Sequence, residues 1–151
     1  LRALLRAWSL GCGAVLAIDL RGRAVHNAVM GDPNDKFVQG PGYQVRHVTD
    51  VAPVACPCGQ SFRVFTWRDG GPANVHVTEI RDSRRHYHRD CTEYYYIIEG
   101  SGVLEVADAQ IPLSPGLLVR IDPLTRHRGQ GDFKALIVGV PPFREEDEYF
   151  D

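Results

Sequence analysis

Short apolar runs separated by turn residues recur along the chain from Ser61 onward. Within most runs apolar and polar side chains alternate, which is typical of a strand with one buried face. Turns rich in Gly and Asp follow the runs, and no run has the length or the 3.6-residue period of a substantial helix. Eight predicted strands cover residues 62–67, 74–80, 84–88, 93–99, 102–107, 109–113, 116–121 and 133–140. The pattern predicts an all-β fold, either an antiparallel sandwich or a jelly-roll barrel, over residues 60–142.

The residues before this barrel do not show the same regular series of apolar runs and turns. Residues 30–59 are rich in Gly, Pro, Asp and Asn, and their single alternating run, at 43–51, predicts an irregular N-terminal arm with one edge strand. Residues 1–29 contain a mostly apolar stretch after two arginines, which is a feature of targeting segments. Two glycines interrupt that stretch, and it is too short to cross a membrane. Because Met30 is the only methionine, we favour an upstream reading frame fused to a protein that starts there, with a targeting segment as the alternative.

Composition and charge narrow the classes of function. The 151 residues are 44% hydrophobic and 24% charged, with a formal net charge of −2. This is the balance of one globular domain, and it argues against a basic nucleic-acid binder and against a disordered chain. We expect a cytoplasmic protein with no nucleic-acid and no membrane partner. Residues 143–151 are acidic and predict a solvated tail, although three aromatic side chains are available to hold it to the barrel, Phe143, Tyr149 and Phe150.

The four cysteines do not suggest a disulfide framework. Cys12 lies in the N-terminal segment, and the remaining three, Cys56, Cys58 and Cys91, are an odd number. A structural zinc site at Cys56 and Cys58 would need two more ligands at suitable spacing, and none is near. We therefore expect two free thiols in a loop, with metal or redox use as the less favoured alternative. Cys91 is expected to pack beside the candidate ligands described next.

Two imidazoles and a carboxylate lie at the start of an apolar strand, within the stretch RRHYHRDCTEYYYIIEG. His86 and His88 are two residues apart, so a strand presents both on one face. Glu93 begins the next predicted strand after a short turn and can lie opposite the pair. A fourth ligand, His127, follows a strand and a turn that contains proline. Three imidazoles and one carboxylate suit a divalent first-row metal and leave positions open for water or substrate.

Other side chains could take part, each with an ordinary structural alternative. Tyr95 shares a strand face with Glu93, and it either donates a hydrogen bond to a ligand or substrate or simply lines the barrel. His76 lies on the preceding strand and could line the cavity, although a lone strand histidine is usually structural. Arg63 and Arg120 would suit an anionic substrate if they pointed inward, but alternation places them outward as readily.

These residues resemble the two sequence motifs of the cupin superfamily. His86, His88, Glu93 and Gly100 meet the first motif, His-x-His-x4-Glu-x6-Gly. The second motif is met in part, since Gly116 and His127 have the right separation. Three of its turn residues differ, because Asp122 stands for proline, Leu124 for glycine and Gly131 for asparagine. The departures leave the ligand positions intact and bear on the shape of the turn before His127.

The resemblance implies a cupin double-stranded β-helix barrel that holds iron, manganese, nickel or zinc through His86, His88, Glu93 and His127. It also implies a frequent homodimer and a small-molecule ligand or substrate. The leading expectation is a metalloenzyme acting on a small organic molecule, by dioxygenase chemistry or by isomerase or decarboxylase chemistry. The alternative is a non-catalytic module that binds a sugar or an organic acid, because the sequence places no further residue as a general base.

Overall fold

The computed structural model describes residues 17–18, 24–25 and 37–151 of the chain. Most of residues 1–29, and with them the interpretation of that segment, lie outside the described residues. Two short antiparallel pairs stand by themselves: β1 (Ala17–Ile18) with β2 (Ala24–Val25), and β3 (Phe37–Gly40) with β4 (Tyr43–Arg46). In the described part of the chain no helix is long and apolar enough to cross a membrane.

Nine further strands form one antiparallel sheet that closes on itself. They are β5 (Val54–Cys56), β6 (Gly59–Phe65), β7 (Asn74–Asp82), β8 (His86–His88), β9 (Thr92–Val106), β10 (Ala109–Leu113), β11 (Leu118–Ile121), β12 (His127–Val140) and β13 (Glu148–Phe150). The order along the sheet is β10-β9-β12-β7-β6-β5, while β11 also pairs with β9, and β8 pairs with both β12 and β13. Three short 3-10 turns cover Val48–Asp50, Trp67–Asp69 and Glu145–Asp147. The predicted all-β jelly-roll class is confirmed.

The strands β9 and β12 are longer than their apolar runs predict. The sequence divides β9 into two strands around Gly100, but the structure runs through it, with Gly100 in the left-handed region at φ +85°. A Cβ at this position would lie 2.2 Å from the carbonyl oxygen of Asp132 on β12. Gly131, at φ +131°, faces the same crossing, where a Cβ would lie 2.5 Å from the Cα of Gly102. These two glycines allow the long strands to pass in backbone contact.

The hydrophobic core lies inside the barrel, on the inward-facing side of the strands. Alternation along β9 places Glu93, Tyr95 and Ile97 inside and leaves Tyr96 and Ile98 exposed, as the pattern predicts. The buried apolar cluster comprises Ile80, Tyr95, Ile97, Leu104, Leu113, Ile121, Phe133, Ala135 and Ile137. Glu93 therefore enters the barrel on the same face as its hydrophobic core.

The cysteine prediction is wrong for two of the described cysteines. Cys56 and Cys58 form a disulfide at the turn between β5 and β6, where Cys56 pairs with Gly59. Their Cα atoms lie 5.2 Å apart, which is within the range that a disulfide bridges. The odd number of cysteines argues against disulfides between distant segments. It gives no information about a disulfide within one turn. Cys91 is a free, buried thiol.

The interpretation of residues 143–151 as a solvated tail is also wrong. β13 pairs with β8 so that Glu148 lies opposite His88, and Phe150 opposite His86. Tyr149 stacks on Tyr87 with ring centroids 5.2 Å apart. Strand pairing and aromatic contacts thus bury part of a segment whose acidic composition alone suggests exposure.

Candidate metal centre

The structure brings the four predicted ligand residues together at one end of the barrel. His86 and His88 come from β8, Glu93 from β9, and His127 from the first position of β12, where it pairs with His86. All four side chains are buried, and one ligand atom from each lies within 4.8 Å of the other three. The i, i+2 spacing on β8 and the two neighbouring strands produce this convergence, as the alternation argument predicts.

Backbone carbonyl groups hold all three imidazoles in the same tautomer. The Nδ1 atom of His86 lies 2.9 Å from the oxygen of Arg84, and that of His127 lies 2.9 Å from the oxygen of Thr125. His88 Nδ1 makes the same contact, also 2.9 Å, with the oxygen of Asp147. Because a carbonyl oxygen only accepts, each Nδ1 carries a proton, and in the neutral ring Nε2 presents a lone pair. This is the arrangement that orients histidine ligands around a metal ion.

The donor atoms lie at separations that the ligands of one cation have. His127 Nε2 lies 3.0 Å from Glu93 Oε2, and His88 Nε2 lies 3.5 Å from the same oxygen. Both Glu93 Oε2 and His127 Nε2 are nevertheless buried without a hydrogen bond. Two adjacent ligands, each about 2.1 Å from a first-row ion, are separated by about 3.0 to 3.4 Å. The orphaned lone pairs and their spacing therefore fit a divalent metal ion.

Burial and the close approach of these groups shift their pKa values from the ordinary ones. Burial first, and the neighbouring His127 second, lower the pKa of His86 to about 4, so His86 is neutral at physiological pH. Burial opposes ionisation of Glu93, but the contact with His127 and the nearby imidazoles lower its pKa to about 2. For His127 the interaction with Glu93 outweighs burial and raises the pKa. The anionic carboxylate and the neutral His86 are in the protonation states that metal binding requires.

The turn before His127 contains a left-handed residue at one of the departures from the second cupin motif. Leu124, at the position where glycine is usual, adopts the left-handed conformation with φ +65°. Its backbone N–H donates a hydrogen bond of 2.7 Å to the carbonyl oxygen of His88. The turn therefore ties the strand that carries His88 to the segment that delivers His127.

A cavity of about 90 Å³ is lined by three of the four residues, His86, His88 and Glu93. That volume holds several water molecules or a small organic group. Tyr95 lines the cavity, with its ring edge-on to His127 at a centroid distance of 6.0 Å. Tyr95 is therefore buried in the barrel interior beside the candidate ligands, a position that suits both of the roles considered for it.

Sequence analysis missed Glu148, a second carboxylate of the cavity. Its Oε1 lies 3.9 Å from His86 Nε2, and burial raises the pKa of its carboxyl group. Glu148 reaches the site because β13 pairs with β8. The three residues EYF are too few to show a strand period, and nothing in the sequence identifies β8 as their partner.

The remaining candidates divide between the cavity and the outside of the barrel. His76 and Arg63 line the cavity, and Arg63 also forms an ion pair of 2.9 Å with Glu145. Arg120 lies outside, where it pairs with Asp122 at 3.0 Å. Cys91 is buried beside Glu93 without being one of the converging ligand groups, and burial raises the pKa of its thiol to about 12.

Comparison with known proteins agrees with the fold and the motifs. A family model described as a cupin domain matches residues 74–138. A solved protein from Planctomyces limnophilus is 34% identical with a TM-score of 0.69, and the alignment covers 72% of this chain and 96% of that chain. No curated protein matches the chain.

Two further solved structures share the fold at lower identity. A variant of Streptomyces Pac13 solved with uridine is 19% identical, with a TM-score of 0.62, covering 70% of this chain and 88% of that chain. Ectoine synthase from P. lautus is 22% identical, with a TM-score of 0.60, covering 71% and 88%. The family model spans β7 to β12 almost completely, and the Planctomyces protein aligns over nearly its whole length. The chain therefore belongs to the cupin family.

Proposed function

We propose that this cupin is a metal-dependent enzyme that acts on a small organic molecule. The observation that carries the proposal is the convergence of four buried donor atoms, two of them without a hydrogen-bond partner, beside a cavity. His86, His88, Glu93 and His127 would hold the ion. A buried cluster of this kind costs stability unless a cation occupies it, which supports a functional role.

When bound, the metal would supply either a site for O2, if it is iron, or a Lewis acid that polarises a substrate oxygen. The protein's own residues position the substrate. Tyr95 and Glu148 line the cavity beside the donor cluster, where a hydroxyl group and a carboxylate can hydrogen-bond a ligand. The surrounding barrel wall limits access of water from the core side.

The cupin neighbours include proteins whose names describe catalysis. Pac13 is described as a unique nucleoside dehydratase, and another neighbour is an ectoine synthase. These names describe those proteins, and the likeness to them is one of fold. They support an enzymatic role over a purely binding role only together with Glu148, a further cavity carboxylate, close to His86, that the sequence did not place.

The first test is whether the four residues hold a metal. We expect near-stoichiometric first-row metal in protein purified without a chelator, and loss of most of it in His88→Ala. His47→Ala is the control, because His47 is an exposed histidine that contacts Thr49 in a loop. Circular dichroism should show that both variants keep the β fold. Full metal occupancy in His88→Ala would contradict the ligand assignment.

The second test separates an enzyme from a binding module. Protein stripped of metal and reloaded with Fe(II), Mn(II), Ni(II) or Zn(II) is incubated with small hydroxy acids, sugars and catechols. O2 uptake with iron supports the dioxygenase class, and turnover with the other ions supports the isomerase or decarboxylase class. A raised melting temperature on ligand addition, with no turnover for any ion, would favour the binding module instead.

A further inference from the structure

Buried polar atoms without partners are concentrated in the metal cavity. Among the described residues five such side-chain atoms occur, in Asn74, His76, Arg85, Glu93 and His127. Glu93 and His127 belong to the candidate metal centre, and the Arg85 Nε atom lies 3.5 Å from a carboxylate oxygen of Asp151. The two remaining atoms, Asn74 Oδ1 and His76 Nε2, belong to neither the metal centre nor an ion pair. Since an unpaired buried polar group costs about 1 to 3 kcal/mol, two on one strand require an explanation.

Asn74 and His76 lie on the same face of β7. They are two residues apart, and both line the cavity. Asn74 is 3% exposed, and its Nδ2 donates a hydrogen bond of 2.8 Å to the carbonyl oxygen of Phe143. This contact fixes the orientation of the amide, so the unpaired atom is the oxygen, which can only accept. A partner for Asn74 must therefore donate a hydrogen bond.

His76 is an uncharged neighbour of this acceptor. Burial first, and then the positive charge of Arg63, its cross-strand partner on β6, lower the pKa of His76 to about 4 against the opposing effect of Glu93. The neutral ring offers one hydrogen bond at Nε2 and does not form an ion pair with an anion. The polar wall of β7 is thus suited to a neutral group of a ligand.

Phe143 borders both this wall and the metal centre. Its ring centroid lies 6.0 Å from that of His76 and 4.5 Å from that of His88. The same residue accepts the hydrogen bond from Asn74 through its backbone. A ligand that occupies the cavity can therefore reach the donor cluster at one end and β7 at the other.

We propose that Asn74 and His76 form a second polar subsite of the metal cavity, which binds a hydroxyl or N–H group of the substrate. The proposal rests on the proposed metal-dependent function and names the substrate class: a small molecule with a metal-binding group and a separate neutral hydrogen-bond donor. Molecules that carry only carboxylates cannot donate to Asn74 Oδ1, so they leave that buried oxygen unpaired. Sites built to hydrogen-bond one substrate group discriminate strongly against analogues that lack it.

The test compares acids that differ only at the position of the donor. Glycerate is compared with lactate, and 2,4-dihydroxybutyrate with 2-hydroxybutyrate, because each pair shares the same carboxylate and 2-hydroxyl group and differs by one hydroxyl group. Affinities are measured by calorimetry with metal-loaded protein whose metal content has been determined. We expect at least one of the more hydroxylated acids to bind about tenfold more tightly than its partner, as one added hydrogen bond to a buried acceptor provides.

Variants assign any such preference to β7. His76→Leu and Asn74→Ala should abolish it, while His76→Gln, which keeps a polar atom near Nε2, should retain part of it. His47→Leu, outside the cavity, should leave it unchanged. Each variant is checked for metal content and melting temperature. If Asn74→Ala does not fold, His76→Leu alone tests whether the preference comes from β7.

Two results would overturn the subsite. One is the absence of any preference in the native protein with metal bound, including the absence of binding. The other is a preference that persists in His76→Leu. Failure of the proposed function has a different signature: no metal is retained, or all four acids bind equally well to the metal-loaded and metal-stripped protein.

Discussion

Leu124 carries a backbone conformation that the fold needs and that its side chain disfavours. It adopts φ +65° in the turn before His127 and is 61% exposed, so its side chain gains little from burial. The left-handed conformation costs a non-glycine residue about 1 to 2 kcal/mol. The turn is retained because its N–H bonds the carbonyl oxygen of His88.

Leu124→Gly is therefore expected to stabilise the protein. The gain should be roughly 0.5 to 1 kcal/mol, because relief of the strain exceeds the entropy that glycine adds to the unfolded chain. Urea denaturation measures it. Leu118→Gly is the matched control, since Leu118 is 62% exposed in the strand β11, and it should lose about 1 kcal/mol. Equal destabilisation by both substitutions would contradict the strain at Leu124.

The convergence of the four candidate ligands could be predicted at this scale because it follows largely from strand alternation. His86 and His88 share a face by the i, i+2 rule, and Glu93 and His127 stand at motif positions. The disulfide was not predicted, although Cys56 and Cys58 are also two residues apart. A disulfide there requires the tight turn of the β5–β6 hairpin, and turn geometry is not visible in a count of cysteines.

Among the elements, β13 contributes most to the site relative to its length. Its pairing with β8 brings Glu148 to the cavity. The preceding residue, Asp147, accepts the hydrogen bond of His88 Nδ1 through its carbonyl oxygen, and its carboxylate accepts one of 3.0 Å from the backbone N–H of Arg89. The C-terminal segment thus orients the candidate ligand His88. It also holds the turn that follows β8 through the backbone of Arg89.

Asp147→Ala should weaken metal binding about tenfold while leaving the barrel folded. The carboxylate would no longer fix the segment whose carbonyl orients His88, and loss of such supporting contacts typically costs 10- to 100-fold in metal affinity. Competition with a chelator of known affinity measures the change. The neighbouring Glu146→Ala, at an exposed position, is the control and should bind metal normally. Unchanged affinity in Asp147→Ala would show that the segment has no part in orienting His88.

The sequence predicts the long strands β9 and β12 better than it predicts β13. Apolar alternation located the core of β9 and β12, but it ended each run at polar or glycine positions that the structure carries through. β13 has three residues, too few for a period to be recognised. Its partner β8 lies about sixty positions earlier, and pairing over that distance is set by the whole barrel.

In the whole molecule, neutral buried histidines make stability depend on pH. His76 is protonated in the unfolded chain below its ordinary pKa of 6.5, but in the fold its pKa is about 4. Its contribution to the free energy of unfolding is therefore present above pH 6.5 and is lost as the pH falls toward 4. Arg63 opposes protonation of the folded ring and Glu93 favours it.

His76→Gln should reduce the acid sensitivity of the protein, because glutamine does not titrate. Between pH 7.5 and pH 5 the native protein should lose about 2 kcal/mol more of its free energy of unfolding than the variant. Urea denaturation at the two pH values gives the difference directly. A variant that loses as much stability as the native protein would show that His76 is not held neutral by burial.

The common tautomer of the three imidazoles has a consequence for metal exchange. Because every ring already presents Nε2 to the same point, one divalent ion can replace another without any ring turning over. Selection then follows the intrinsic preference of nitrogen and oxygen donors, which rises from manganese to copper, together with the supply of each ion. For the proposed metal site, the occupant of a purified sample should accordingly mirror the growth medium, while the barrel stays the same.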